Sequence, residues 1–339
     1  MISLLYPSSK IKSGYVNYSL RLIKGLRKIL DDIEEIPVHK IETSFLGKPI
    51  LGNVSQSFFS KISTVHGNVV HSLTPNVINS KTNLVTIHDI ISFKNPEKYA
   101  TNFYRKIGYN RLIRNINKVR NYIVFTEMAK SELSALLGIE SDMINVVPQS
   151  IDHSVFYREV NDSLKRNGKK LVITVGDLNP RKRYDILFRA LGGLQDCEIV
   201  HIGPVNGWYD RKRELEKVAS SYNNIRMMGE VNDTVLRQYM SSADLLVHLS
   251  EAEGFGYTPL EAMACGTNAL VSDIQIFHET LGAYADYTEL SEDEVREKAL
   301  DSLKSPHAPE ELIKYSKKFS IDIMARSTVE VYRKISPVL

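Results

Sequence analysis

A chain of 339 residues, 43% hydrophobic and 24% charged, has the make-up of a soluble globular protein of about two ordinary domains; 18 Gly and 12 Pro exclude collagen-like and low-complexity classes. Two cysteines, Cys197 and Cys265, make neither a disulfide framework nor a zinc site by themselves, so a reducing, cytoplasmic setting is expected. The net charge of +3 conceals an asymmetry, with 19 Lys+Arg against 11 Asp+Glu in residues 1–150 and 24 against 29 in the remainder, which suggests two domains facing different partners.

The N-terminus, MISLLYPSSK, lacks the pattern of a signal peptide, and no 18-residue apolar stretch occurs, so no membrane-spanning helix is expected. In the first half, strands are predicted at Ile2–Tyr6, Asn68–Leu73, Asn83–Ile87, Asn121–Thr126 and Ile144–Val147, with helices at Val16–Leu30 and Asn102–Val119. The stretch Gln149–Gly168 has no sustained periodicity and reads as a linker. Beyond it, strands are predicted at Leu171–Val175, Glu198–Ile202, Ile225–Met228, Leu245–Leu249 and Ala269–Ser272. A spacing of about 25 residues leaves room for one crossover helix each, the rhythm of βαβ units and a parallel sheet. The expected fold class is α/β, two Rossmann-like doubly wound domains facing a central cleft. Ligands bind beyond the carboxyl ends of such strands. The expected boundaries are 1–155, a linker at 156–168, a second domain at 169–308, and a helical segment at 309–339 returning to the first domain.

The segment Gly176-Asp-Leu-Asn-Pro-Arg-Lys-Arg183 follows a strand and opens a helix reaching about Leu191. Arg181, Lys182 and Arg183 stand near that helix's N-terminus, where the macrodipole disfavours each exposed cation by about 0.3–1 kcal/mol. An anion bound among them reverses the sign, and helix N-termini beyond strand ends suit phosphate. A solvated basic turn is the alternative. The second segment, Ser250 to Gly266, also follows an apolar strand. Thr258 is an expected N-cap, Pro259 the first helical position, Glu261 the third residue of a capping box, and Gly266 the stop. Capping alone accounts for Glu261 but leaves Glu253-Gly-Phe-Gly-Tyr257 unexplained. The glycines there permit close backbone approach to a ligand.

Glu253 and Glu261 in EGFGYTPLE resemble the E-x7-E pattern of the retaining glycosyltransferases of family 4, which have the GT-B fold. Val175-Gly-Asp-Leu-Asn-Pro-Arg-Lys182 is similar to that family's donor-diphosphate segment. Thr86-Ile-His-Asp89, Phe125-Thr-Glu127, Pro148-Gln-Ser-Ile-Asp152 before Phe156, and Met228-Gly-Glu-Val231 fall in the family's order. The resemblance implies transfer of a sugar from a nucleotide-diphosphate sugar, UDP- or GDP-linked, to a hydroxyl acceptor with retained configuration. The nucleotide sugar is a co-substrate, and no cofactor is implied. Arg181 and Lys182 would neutralise the diphosphate leaving group; Glu253 and the backbone of Gly254, Phe255, Gly256 and Tyr257, with Thr258, would hold the donor sugar. Glu261 would accept from ribose hydroxyls, Val231 would lie beside the nucleobase, and His88 would reach the donor sugar. No D-x-D sequence occurs, so no metal is expected and the two cations would take over that electrostatic work. Asp89 is expected to orient His88 or to cap the next segment.

Two positions depart from the family pattern. The first loop, Ser13-Gly-Tyr-Val-Asn-Tyr18, keeps Gly14 for donor approach but has Val16 and Asn17 where the family has its second glycine and a basic residue. Gln149-Ser150 stands where Asn-Gly is common. On the acceptor side, residues 98–122 hold Lys98, Arg105, Lys106, Arg111, Arg114, Lys118 and Arg120 without an acid, interleaved with Phe103, Tyr104, Tyr109 and Tyr122. Such a basic amphipathic segment suits an anionic membrane surface and a glycan, lipid-linked or protein acceptor; a solvated face over a core of Phe103, Ile107, Ile113 and Ile116 is the alternative. Peripheral attachment at the inner face of a membrane follows from the first. A nucleic-acid binder would leave the Glu253 loop unexplained and lacks a recognition motif. A dehydrogenase would need G-x-G-x-x-G after a strand. A sugar-nucleotide epimerase or glycan phosphorylase of the same architecture remains the rival reading.

Overall fold

The computed structural model describes residues 1–8, 14–39, 44–45, 48–49, 63–94, 103–164, 168–205 and 207–338, with backbone alone at 44–45, 48–49, 92, 103–108 and 111. The chain divides into two compact units, Met1–Ser150 with Ile321–Leu339, and Ile151–Ser320. Residues 156–168 and 309–320 therefore lie in the second unit, and the return to the first begins at Ile321.

The first unit is built on β1 (Ile2–Ser8), α1 (Gly14–Leu26), β2 (Ile33–His39), β3 (Val69–Ser72), β4 (Leu84–Thr86), α2 (Ile91–Lys94), α3 (Phe103–Ile116), β5 (Asn121–Val124), α4 (Glu127–Leu137) and β6 (Ile144–Val146), with a short hairpin of Ser44–Phe45 and Lys48–Pro49. Its six strands are all parallel in the order β2-β1-β3-β4-β5-β6. Leu4, Leu5, Val69, Leu84, Val85, Ile123 and Val124 are wholly buried, as expected of strands covered on both faces. The edge strand β2 was not anticipated. Its sequence IEEIPVH carries no apolar run, only Val38 is buried, and an edge position tolerates Pro37.

The second unit runs β7 (Lys170–Val175), α5 (Tyr184–Leu191), β8 (Cys197–Ile202), α6 (Tyr209–Ala219), β9 (Ile225–Gly229), α7 (Asp233–Ser242), β10 (Leu245–His248), α8 (Tyr257–Ala264), β11 (Ala269–Ser272), α9 (Gln275–Leu281), β12 (Asp286–Thr288), α10 (Glu292–Lys304) and α11 (Pro309–Ser316). The sheet is again parallel, in the order β9-β8-β7-β10-β11-β12. That is the 3-2-1-4-5-6 order of a doubly wound fold, whose switch point lies between β7 and β10. Cys197 and Cys265 are both buried free thiols.

The last helix, α12 (Ile321–Ile335), belongs to the first unit and packs on α1. Gly25 is what allows the approach, since a Cβ there would lie 2.8 Å from Ala325 Cβ and 2.9 Å from Ile321 Cγ2. Deeper in, the Tyr332 hydroxyl lies 2.8 Å from His71 Nδ1, and His71 Nε2 lies 2.8 Å from Thr86 Oγ1, so the helix is anchored by a buried hydrogen-bonded chain as well as by apolar contact. Replacing Gly25 by Val is expected to force the helices apart and lower the thermal unfolding midpoint, at a cost of about 1–3 kcal/mol. An unchanged melt would show that the α1–α12 contact contributes nothing.

Candidate functional site

At the switch point of the second unit, the loop after β7 meets the loop after β10. Close packing of strand ends makes the first loop possible. The Gly176 amide donates to Ile202 O at 3.0 Å and the Gly203 amide to Gly229 O at 2.9 Å, and a Cβ on Gly203 would collide with the Gly176 carbonyl. Gly176 itself has φ +146 and faces the Tyr184 hydroxyl. The chain then makes a 3-10 turn at Pro180–Lys182, capped by the Asn179 side chain, which accepts from the Arg181 amide at 3.1 Å. Arg183 follows in the left-handed region, φ 43, and serves as the N-cap position of α5.

The turn presents its cations to acids of the second loop. The Glu251 amide donates to Arg181 O at 2.9 Å, and Arg181 Nη1 donates to Ser250 Oγ at 3.0 Å and to Ala252 O. Glu253 Oε1 receives Arg181 Nη1 at 2.8 Å and Lys182 Nζ, and lies 3.2 Å from His248 Nε2. Among the described residues every partner of this carboxylate falls on Oε1, leaving Oε2 without one. Arg183 pairs with Glu251 at 3.0 Å and Asp185 at 3.5 Å. Burial pushes the Glu253 carboxyl up, but Lys182, the His248 hydrogen bond and Arg181 outweigh it and hold its pKa well below the usual value. His248 is pushed the other way, to about 4, by burial and by Lys182.

The second loop differs in detail from the sequence expectation. Helix α8 begins at Tyr257, with Gly256 at the N-cap position and no side-chain cap. Thr258 and Pro259 are therefore inside the first turn, and no Thr258–Glu261 capping box forms at that N-cap. Gly256 takes φ +90, where a Cβ would lie 2.7 Å from the Phe277 ring; only glycine satisfies both demands. Phe255 is buried against Tyr257 and Phe319, so its side chain belongs to the core. Gly254 and Glu261 are half-buried, and Gly266 ends the helix region at φ +78. Val231 lies half-buried just past β9.

In the first unit, Gly14 is the first residue of α1, has no positive φ and has open space around its Cα. Val16 and Asn17 are simply absorbed into that helix, which explains how the loop accommodates a β-branched residue. His88 follows β4 and is enclosed by the rings of Tyr15, Tyr18 and Phe125 at 4.6, 4.8 and 5.2 Å. Its Nε2 donates to Leu73 O at 2.8 Å, which leaves Nδ1 as an acceptor, and burial pulls its pKa to about 4. Asp89 Oδ1 accepts from the Ile91 amide at 3.2 Å, just before α2, and Oδ2 from the Tyr15 hydroxyl at 3.4 Å. Of the basic segment, Arg114 is exposed beside a groove of about 490 Å³ lined by Phe93, Tyr109, Ile113, Leu136 and Leu137. Ile116 is buried and Ile113 half-buried in the core. Lys98 and the side chains of Phe103, Tyr104, Arg105, Lys106, Ile107 and Arg111 lie outside the described residues. No helix among the described residues is long and apolar enough to cross a membrane.

Residues 157–319 match the family model described as Glycosyl transferases group 1. Over 96% of its length the chain is 23% identical to the O-antigen chain mannosyltransferase RfbU of Salmonella typhimurium, covering 97% of that protein. It is likewise 23% identical, over 87% of its length, to the phosphatidylinositol N-acetylglucosaminyltransferase GPI3 subunit of Saccharomyces cerevisiae, covering 68% of it. Among solved structures, the Anabaena protein Alr3699/HepE in complex with UDP and glucose superposes with a TM-score of 0.76 at 16% identity, over 98% of this chain and all of that one. The chain is thus an enzyme, a glycosyltransferase, and its two doubly wound units are those of the GT-B fold.

Buried neutral histidines are expected to make the fold acid-sensitive. His71 is held near 3 and His88, His201 and His248 near 4 by burial. Between the ordinary imidazole value and these, the unfolded chain takes up protons that the native chain refuses, so stability falls as pH drops from about 6.5 toward 4. Glu253, held low, adds a further loss once pH falls below the usual carboxylate range. His201 tests this outside the site, since neither ring nitrogen has a partner. His201→Leu is expected to leave the melting temperature at pH 7 equal or higher and to flatten its decline toward pH 4; a steeper decline would overturn the account.

Proposed function

We propose that the chain is a retaining glycosyltransferase of family 4 that moves a sugar from a nucleotide-diphosphate sugar to a hydroxyl acceptor without a metal ion. The observation that carries this is the Arg181–Lys182–Glu253 cluster at the switch point of the second unit. A glycosyl transition state builds negative charge on the departing diphosphate, and fixed cations aimed at it stabilise that charge. A carboxylate a few ångströms away, with one oxygen open, accepts hydrogen bonds from the hydroxyls of the sugar. Glu261, from the same helix as the Glu253 loop's end, accepts from the ribose, the backbone of Gly254–Tyr257 with Thr258 lines the sugar, and Val231 lies beside the base.

His88 offers Nδ1 as an acceptor, since Nε2 is committed to Leu73 O, and we assign it a hydrogen bond from a sugar hydroxyl. Gly14, with open space about it, leaves room for approach to the donor. No carboxylate is assigned as a covalent nucleophile; the acceptor attacks on the same face from which the phosphate leaves, and the phosphate oxygen takes its proton. The activities named for the relatives, mannosyl and N-acetylglucosaminyl transfer, and the UDP bound to the Anabaena protein, support a hexose donor on a nucleoside diphosphate. Relatives acting on an O-antigen chain and on phosphatidylinositol support a lipid-linked acceptor. The basic segment with Arg105, Lys106, Arg111 and Arg114 then meets an anionic membrane surface at the cytoplasmic face.

The test is nucleotide release from UDP-, GDP-, ADP- and TDP-sugars, with EDTA present and Arg181→Ala as control. Release from one donor that survives EDTA and falls at least about a hundredfold in the variant is expected, the scale of losing a transition-state charge partner. Release abolished by EDTA would end the metal-free mechanism, and failure of every nucleotide to bind would end the donor assignment. An isolated glycosyl-enzyme adduct would refute same-face transfer.

A further inference from the structure

One buried side chain of the cluster has no part in that mechanism. His248, the last residue of β10, is 2% exposed, and its ring packs edge-on against Phe277 at 5.8 Å. Nε2 lies 3.2 Å from Glu253 Oε1 and 3.3 Å from Lys182 Nζ, while Nδ1 is buried with no partner. A neutral imidazole carries one N–H. On Nδ1 that proton would be a buried donor without an acceptor, a costly arrangement. On Nε2 it points to a carboxylate oxygen, and Nδ1 keeps only an unused lone pair. Lys182 Nζ, a donor only, lies 3.3 Å from Nε2 but closer to Glu253 Oε1, to which it is committed. The buried, partnerless Nδ1 then favours the Nε2–H tautomer, donating to Glu253.

The three partners of Oε1 differ in what a donor does to them. Arg181 and Lys182 are cations, and an arriving diphosphate competes with Glu253 for both. His248 is neutral and enclosed, and has nothing to gain by turning to phosphate. We propose that His248 is a positioning residue that keeps Glu253 Oε1 in place when the diphosphate draws Arg181 and Lys182 away, so that Oε2 stays turned to the donor sugar. The proposal rests on the donor-site reading of these three residues. Burial keeps the imidazole neutral across the ordinary pH range, so the anchor does not switch off between pH 6 and 8.

Two measurements decide it. Nitrogen chemical shifts of His248 in the ligand-free protein are expected to report a protonated Nε2; a protonated Nδ1 overturns the proposal whatever the donor. Calorimetric titration then compares UDP, GDP, ADP and TDP with their hexose derivatives for the wild type and for His248→Gln, His248→Asn and His248→Phe. The side-chain amide nitrogen of Gln falls near imidazole Nε2, that of Asn near Nδ1. Affinity for the bare nucleotide is expected to stay within about twofold throughout, while the sugar's added affinity falls about tenfold in Asn and Phe and is restored in Gln, the scale of one hydrogen bond to a charged group. Should Phe fail to fold, the Gln–Asn pair carries the comparison. An unchanged sugar preference in Asn overturns the proposal, and so does equal loss of nucleotide and sugar nucleotide, which marks a merely structural residue. A wild type that binds no nucleotide overturns the donor-site reading instead, a result separable from the tautomer.

Discussion

The second unit is organised around one carboxylate oxygen. Glu253 Oε1 takes two cations and an imidazole at the carboxyl end of a buried strand, and the surrounding backbone is shaped to bring them there. A half-buried carboxylate is costly unless paired and hydrogen-bonded, and a nearly buried lysine equally so. Each makes the other tolerable. Because the two cations and the imidazole converge on one oxygen, the group is anchored through Oε1 while Oε2 stays open.

The same pairing resolves the dipole conflict that the triple cation creates. Arg181, Lys182 and Arg183 lie at the N-terminal end of α5, where positive charge is unfavourable. Glu251 and Glu253 supply the missing negative charge from the neighbouring loop, and Asp185 adds more from the first turn of the helix itself. A diphosphate would bring the same charge to the same place. The cluster is therefore neutralised by its own chain, and an exchange of those partners for an anion would cost less than creation of a bare cationic pocket.

Most of this frame was legible in the sequence, because the central strands are buried on both faces and read as apolar runs. The strands that escaped, β2 and β12, are both edges. IEEIPVH and DYT have few residues that must leave water, so nothing in their pattern marks them. Arg181, Lys182, Glu253 and the two-unit division follow from strand-end positions and from the resemblance carried by EGFGYTPLE. The Thr258 cap misled because a residue type with good capping chemistry stood two places past the true N-cap position, and Gly256, needed for φ +90 against Phe277, took that position instead. His248 was invisible for a different reason. In sequence it is one more residue of a buried strand, and only the fold places its Nε2 against a carboxylate five residues on.

Arg183 shows how firmly the loop geometry is imposed. It is the one non-glycine residue with positive φ among those described, a conformation costing about 1–2 kcal/mol for a residue with a Cβ. Strain of this kind persists where the surroundings over-determine the backbone, and here they do. The Arg183 amide donates to Pro180 O, its carbonyl accepts from Ile186 and Leu187, and its guanidinium is held by Glu251 and Asp185. The left-handed turn ends the 3-10 segment and starts α5 within one residue. Arg181 and Lys182 stand just before that reversal, in the 3-10 turn, and both reach Glu253 Oε1. The strain at Arg183 is held by bonds on either side of it, and its guanidinium pairs with Glu251, on the loop that carries Glu253.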